Sequence, residues 1–309
     1  MTININGLFG KYVDFIPKYR EFVSCLDSGL VRVLRVNLFR MKVEEVVKRL
    51  SRYGVVVEGV GWYPGALLVK HGIDVASRCL EHYLGFYYIM DLVSLVPPYL
   101  MLKEGGEGVV LDVAAAPGGK ALALADGMVG RGLVVANEID RERFDALASN
   151  VDRMGYPNIL LLRMDARKLP RIPGVSMVLF DAPCSTEIHF NRIRDFGPYL
   201  DGSIYRRYSR LQIEILRRLY EVLDPGTPVY YTVCTMNPLE CEYVVSQSIR
   251  IGYEVEAIKD IPLEYCSGVE RWGGFDFSNV SDYCIRIYPH LNKRYGCNIG
   301  FSFLCKLVR

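Results

Sequence analysis

The 309-residue chain contains no run of eighteen uninterrupted apolar residues, and no basic stretch leading into an apolar core opens it. A membrane-spanning helix and a signal peptide are therefore not expected. It lacks any C-x-x-C pair, and its nine cysteines, at 25, 79, 184, 234, 241, 266, 284, 297 and 305, are odd in number. That pattern argues against a disulfide framework and against a zinc ribbon, so reduced thiols in the cytoplasm are expected, with no metal site. Internal repeats and low-complexity tracts are missing. A strong charge excess is missing too: the net charge of +2 selects no partner and leaves nucleic acid open. Half the residues are hydrophobic and 23% are charged, the balance of a soluble globular protein able to bury a real core in one or two domains.

What is present begins with a small α+β unit over residues 1–75. Leu30 to Phe39 reads as a strand, Val43, Val46, Val47 and Leu50 recur at helical spacing before Gly54, and Val55 to Val60 and Ala66 to Val69 read as further strands. Arg32, Arg35, Arg40, Lys42, Lys48, Arg49 and Arg52 cluster here. A solvated face is the ordinary explanation for such a group; a phosphate-contacting face is the alternative. Residues 74 to about 100 read as a helical connector that Pro97 and Pro98 should end.

From Val109 the chain alternates strands with helices. Strands are expected at 109–114, 132–139, 159–164, 176–180 and 228–233, with helices near 119–127, 141–154, 203–223 and 238–251. This is the pattern of a mostly parallel α/β sheet covered by helices. Asp140 is placed to cap the helix Arg141 to Met154, and Gly155 to end it. Two further strands, 253–258 and 302–307, close the chain, the last expected as an antiparallel edge.

The stretch VVLDVAAAPGGK, Val109 to Lys120, is the natural cofactor turn: a buried strand breaks into small residues that let backbone approach a ligand at the next helix N-terminus. It is not a P-loop, because Ala121 replaces the hydroxyl residue and the first Gly is missing. Nor does it supply G-x-G-x-x-G. A cofactor without phosphates remains, its ribose reached by Glu138 at the end of the second strand, with Asp165 after the third strand facing an exocyclic amino group. Asp112, Glu138, Asp165 and Asp181 end four strands, and the cationic sulfonium and ammonium groups of S-adenosylmethionine suit such acidic surroundings. The expected cofactor set is Ala114, Ala115, Ala116, Pro117, Gly118, Gly119, Lys120, Glu138, Arg143, Asp165 and Asp181. Strand-end acids also cap helices, which is the competing explanation for any one of them.

Two cysteine motifs follow: FDAPCS at Phe180 to Ser185 and TVCTMNPLE at Thr232 to Glu240. With AAAPGGK, ANEID at Ala136 to Asp140 and RIYPH at Arg286 to His290, they resemble the Sun-type RNA cytosine-5 methyltransferases. The resemblance covers most of residues 85–309. Arg35-Val36-Asn37 is similar to the R-x-N signature of that family's N-terminal RNA-binding region, and Met90 to Ser94 to its segment before the cofactor turn.

Carbon 5 of cytosine is a poor nucleophile, so a thiolate must first add to carbon 6, and must leave after methyl transfer and proton loss from carbon 5. The residues alone do not rank Cys184 against Cys234, and the Pro-Cys cysteine of DNA-type enzymes would favour Cys184. The resemblance implies Cys234 as nucleophile, Cys184 assisting release, Asp181 bonding the cytosine and Lys120 near the same base. It implies a Rossmann-like S-adenosylmethionine-dependent fold over 76–309 and RNA as partner, with tRNA expected for a short, archaeal-style, monomeric form. Ribosomal RNA is the nearest alternative, and a non-catalytic RNA-binding assembly factor the alternative from another class. Three positions depart from the family pattern: Thr186 where a Gly usually follows DAPCS, Val233 before the second cysteine, and Gly226-Thr227 for a Gly pair. Arg206, Arg207, Arg210, Arg217 and Arg218, interleaved with Tyr205 and Tyr208, fit either an RNA channel or an exposed helix face.

Overall fold

The computed structural model describes residues 5–193 and 195–309. The chain forms two compact units. One comprises Leu30–Ala166 with Gly174–Leu179; the other comprises the N-terminal segment to Gly29, Arg167–Pro173 and Phe180–Arg309.

The first unit holds two sheets. Four antiparallel strands, Arg32–Val36 (β1), Val56–Gly59 (β2), Ala66–His71 (β3) and Tyr87–Asp91 (β4), order as β2-β3-β1-β4. The helix Val43–Ser51 sinks Val46 and Leu50 into a core with Leu34, Val36, Val55, Leu67 and Tyr87, as its apolar spacing dictates. The stretch expected as a helical connector thus contains a strand. Pro97 and Pro98 do not stop a helix; they occupy the first turn of Val96–Glu104, where a missing N–H costs nothing because that group has no intrahelical partner.

The second sheet of this unit is parallel. Gly108–Asp112 (β5), Gly132–Asn137 (β6), Ile159–Leu162 (β7) and Val175–Asp181 (β8, through Leu179 in this unit) order as β7-β6-β5-β8. Val110, Leu111, Val134, Val135 and Val178 are buried, which accounts for continuous apolar runs in place of alternation. The strand order reverses at β5, so the turn after β5 opens at the switch point where α/β sheets take ligands. The helix Arg141–Met154 starts and stops where expected: Asp140 Oδ1 accepts from Arg143 N at 2.9 Å, and Gly155 takes φ +69°.

The second unit contains Pro228–Val233 (β9), Glu254–Glu256 (β10), Cys266–Ser267 (β11), the short hairpin Arg271–Trp272 (β12) and Phe275–Asp276 (β13), Ile285–Ile287 (β14) and Ser302–Val308 (β15). β15 is not an edge strand: it pairs antiparallel with β9 and with β14, and its far end with β10. Its residues Phe303, Leu304, Cys305 and Leu307 are buried accordingly. The N-terminal segment belongs to this unit, and Cys25 and Cys297 are joined in a disulfide with Cα atoms 4.9 Å apart. This corrects the expectation that every thiol is reduced; a separation of 272 residues leaves no spacing signature to read. No described helix is long and apolar enough to cross a membrane.

Candidate functional site

In the first unit, the small-residue turn after β5 is tightest at Gly118. Gly118 takes φ +110°, and a Cβ there would lie 2.9 Å from Leu147 Cδ1. Ala115 and Ala116 are buried, Ala114 is half-buried and Pro117 exposed. Ala115 N donates to Asn137 O at 2.8 Å, and Gly118 N to Ala115 O at 2.7 Å, so the turn is held in shape by backbone before the helix Gly119–Gly127 begins. That helix carries half-buried Lys120 in its first turn.

Glu138 follows β6 and is 3% exposed. Its Oε1 accepts from Asp140 N at 3.0 Å, whereas its Oε2 has no hydrogen-bond donor among the described residues. The Arg143 guanidinium stands 3.4 Å from that oxygen and donates at 2.8 Å to Ala116 O, bracing the turn against the strand end. A buried carboxylate oxygen with no donor fits a diol such as a ribose edge. Asp112 is the buried last residue of β5, and Asp165 lies half-buried beyond β7.

In the second unit, two loops carry the thiols. Cys184 follows β8 and Cys234 follows β9, and their Sγ atoms lie 3.2 Å apart. Ala182 N donates to Thr232 O at 2.9 Å and Ile188 N to Cys234 O at 3.2 Å, so backbone pairing aligns the loops on both sides of the sulfur pair. Asp181, the half-buried last residue of β8, precedes them. The hydrogen bond with Cys234 holds the Cys184 thiol below its ordinary range, in opposition to burial. Thr186 stands at φ +56°, a left-handed backbone that a glycine adopts freely and a β-branched residue rarely does. Its Oγ1 donates to Cys184 O at 2.9 Å.

Side chains not singled out by sequence reasoning hold these loops. Glu240 Oε2 accepts from Ser185 N at 3.0 Å and Gln212 Nε2 at 3.2 Å; burial and the neighbouring Cys184 push its carboxyl well above the usual range. Glu187, fully buried, accepts from Tyr12, Tyr205, Thr235 and Met236. Arg286, also fully buried, makes a bidentate pair with Glu242 at 2.7 and 2.6 Å and donates to Met236 O at 2.9 Å. The CTMNPLE and RIYPH motifs pointed to this region; the position of Glu187, three residues past a thiol, was its only sequence signal.

Several basic residues read as an RNA-facing group are otherwise engaged. Arg35 is fully buried, 3.3 Å from Asp126 and bonded to Tyr156 at 3.1 Å, and Asn37 donates to Gly85 O and Met154 O. Their R-x-N signature here is a packing device. Tyr205 is 1% exposed, Arg206 donates to Asp201 O, and Arg218 to Leu169 O and Glu221.

The parallel strand order and the tight small-residue turn after β5 define a Rossmann-like sheet of the S-adenosylmethionine-dependent methyltransferase class. A solved structure of a methyltransferase homolog protein from Pyrococcus horikoshii shares the fold, with a TM-score of 0.76 and 24% identity over 98% of this chain and 92% of that one. A family model described as 16S rRNA methyltransferase RsmB/F matches residues 99–299, and the chain belongs to that family of RNA methyltransferases. A tRNA (cytosine(49)-C(5))-methyltransferase of Pyrococcus abyssi is 30% identical over 276 residues, 88% of each chain. A ribosomal RNA small subunit methyltransferase F of Shewanella loihica is 31% identical over 296 residues, 94% of this chain but 58% of its own length.

Proposed function

We propose that this protein methylates carbon 5 of cytosine in RNA, with tRNA as substrate, through a covalent adduct between Cys234 and carbon 6. The observation that carries this reading is the pair of thiols 3.2 Å apart at the ends of β8 and β9. One buried cysteine is ordinary packing, but two aligned across backbone-paired loops supply the nucleophile and the second group that this chemistry requires.

The residues of the turn fit S-adenosylmethionine. Ala114, Ala115, Ala116, Pro117, Gly118 and Gly119 leave backbone approachable, Glu138 Oε2 offers an acceptor to the ribose hydroxyls, Arg143 braces both, and Asp165 is assigned to the adenine amino group. When bound, that cofactor supplies an electrophilic methyl group. Cys234 adds to carbon 6 of the base, which makes carbon 5 nucleophilic; after transfer, the proton on carbon 5 leaves and the carbon–sulfur bond breaks. Cys184 assists that release, Asp181 hydrogen-bonds the activated ring, and Lys120 is the fourth residue assigned to the reaction.

The likeness to a tRNA (cytosine(49)-C(5))-methyltransferase, 30% identical over 276 residues, supports tRNA as the substrate. The deciding experiment incubates the protein with transcribed tRNA and small-subunit ribosomal RNA and labelled S-adenosylmethionine, then maps modified cytosines. Label on tRNA alone is the expected result. Label on ribosomal RNA alone reverses the substrate, and no label on any cytosine removes the enzyme reading.

A further inference from the structure

The two thiol loops share one buried hub. Glu187 Oε1 accepts from Tyr12 OH at 2.8 Å and Tyr205 OH at 2.6 Å; its Oε2 accepts from Thr235 Oγ1 and Met236 N, both at 2.8 Å. Glu187 is three residues after Cys184, and Thr235 and Met236 are the two residues after Cys234. One side chain therefore grips the second loop from the first. The four contacts match the acceptor capacity of a carboxylate, and the Met236 N–H has no alternative role as acceptor.

The partners of those donors fix the direction of each bond. Thr235 Oγ1 accepts from Ser185 Oγ at 3.0 Å and Asn237 N at 3.2 Å, which leaves its proton for Glu187. Tyr12 OH accepts from Asn237 Nδ2 at 3.0 Å, which likewise turns its proton toward Glu187. Lys11 Nζ donates to Tyr205 OH at 2.5 Å and to Tyr199 O at 3.2 Å, and lies 3.9 Å from Glu187. The N-terminal segment thus reaches the thiol loops through consecutive residues, and that segment is itself anchored by the Cys25–Cys297 disulfide and by Asn298 Nδ2 donating to Ser28 O at 2.9 Å.

We propose that Glu187 is a positioning residue that holds Cys184 and Cys234 at their mutual distance, and that Tyr12, from the N-terminal segment, completes the hold. The proposal rests on the reading of the two thiols as the reacting pair. A network in which every donor is matched has one low-energy arrangement, and losing its shared acceptor leaves Met236 N and three hydroxyls to rearrange together.

The test compares the wild type with Glu187→Ala, Glu187→Gln and Tyr12→Phe in two readouts. The first uses no RNA: diamide oxidises Cys184 and Cys234 to a disulfide, its azo group taking up the two electrons and two protons to become a hydrazine, and the bond is mapped by peptide mass spectrometry. The wild type should crosslink fastest, Glu187→Ala about tenfold slower and Tyr12→Phe about threefold slower, as the thiols lose their enforced proximity. The second is methyl transfer to RNA, where Glu187→Ala should lower kcat about 100-fold with KM for RNA unchanged, the cost of reacting groups misplaced by about 1 Å. Glu187→Gln, which keeps the shape and one acceptor, should fall between. A wild type that forms no such crosslink, a Glu187→Ala variant that crosslinks at the wild-type rate, or one that raises KM alone would overturn the proposal. Should Glu187→Ala lose its cooperative melt, Tyr12→Phe decides, and an unchanged crosslinking rate there overturns it. If the wild type labels no cytosine, the functional reading fails while the crosslink still answers for the positioning.

Discussion

The Sγ atoms of Cys184 and Cys234 lie 3.2 Å apart, and the hydrogen bond between them is the largest influence holding the Cys184 thiol below its ordinary range. Burial works the other way. Removing the partner sulfur takes away the largest lowering influence, so Cys234→Ala should raise the pH at which Cys184 becomes reactive. The sign follows from the thiolate being the alkylated form: a lower pKa means reaction at lower pH. The check is the pH midpoint of Cys184 alkylation by iodoacetamide, followed by peptide mass spectrometry. The wild-type midpoint should lie below that of Cys234→Ala, and an equal or lower midpoint in the variant would contradict the account.

Thr186 is strained by its left-handed backbone. Its φ of +56° costs a β-branched residue about 1–3 kcal/mol, partly offset by the hydrogen bond from its Oγ1 to Cys184 O, worth about 0.5–1.5 kcal/mol. Thr186→Val keeps the strain and loses the bond. Thr186→Gly loses the same bond but relieves the strain, at about 0.4–1 kcal/mol of extra chain entropy. The glycine variant should therefore be the more stable of the two in chemical denaturation, by about 1 kcal/mol; the opposite order would show that the backbone is not strained there.

Arg286 and Glu242 form a fully buried bidentate pair whose arginine also holds the Met236 carbonyl, two residues past Cys234. Arg286→Ala strands the Glu242 carboxylate and should cost about 3–5 kcal/mol. The double variant Arg286→Met, Glu242→Leu removes both charges and should recover most of that loss, because replacing a whole buried pair by apolar groups is often close to neutral. Thermal melts of the three proteins measure the recovery. A double variant no more stable than Arg286→Ala would assign the cost to the Met236 contact instead.

Local pattern carried most of the fold. The helix Arg141–Met154 and the strand Pro228–Val233 have the bounds that their periodicity and turn residues predict, because a cap, an apolar face and a stop all agree there. What escaped was decided by distant partners. β4 lies in a stretch without clear alternation and becomes a strand by pairing with β1; β15 lies between β9 and β14, although nothing in its sequence separates edge from interior. Arg35 reads as a surface charge until Asp126 and Tyr156 surround it. At the candidate site, the positions of the thiols and of the small-residue turn just after strands were legible, because the apolar runs before them read as strands. Glu187 was not, since a glutamate becomes a hub only when residues 12, 205 and 235–236 converge on it.

Glu138 provides the sharpest test of the cofactor turn. Its buried Oε2 has no hydrogen-bond donor among the described residues, while Oε1 accepts from Asp140 N at the start of the next helix. If Oε2 receives ribose hydroxyls, Glu138→Ala should weaken S-adenosylmethionine about 10- to 100-fold, the equivalent of one or two charge-assisted hydrogen bonds at about 1.5–3 kcal/mol. Glu138→Gln keeps one acceptor and should lose less. Gly118→Ala supplies a steric counterpart, because its Cβ would meet Leu147 Cδ1 at 2.9 Å at a φ of +110°. That change should weaken the cofactor by displacing the turn, and a smaller residue at Leu147 should restore part of the loss. Titration calorimetry with S-adenosylmethionine and with its demethylated product, S-adenosylhomocysteine, reads the four variants against the wild type without RNA. Both ligands carry the ribose, so Glu138→Ala should weaken them equally; a variant that loses only the methylated form would place Glu138 at the sulfonium end instead.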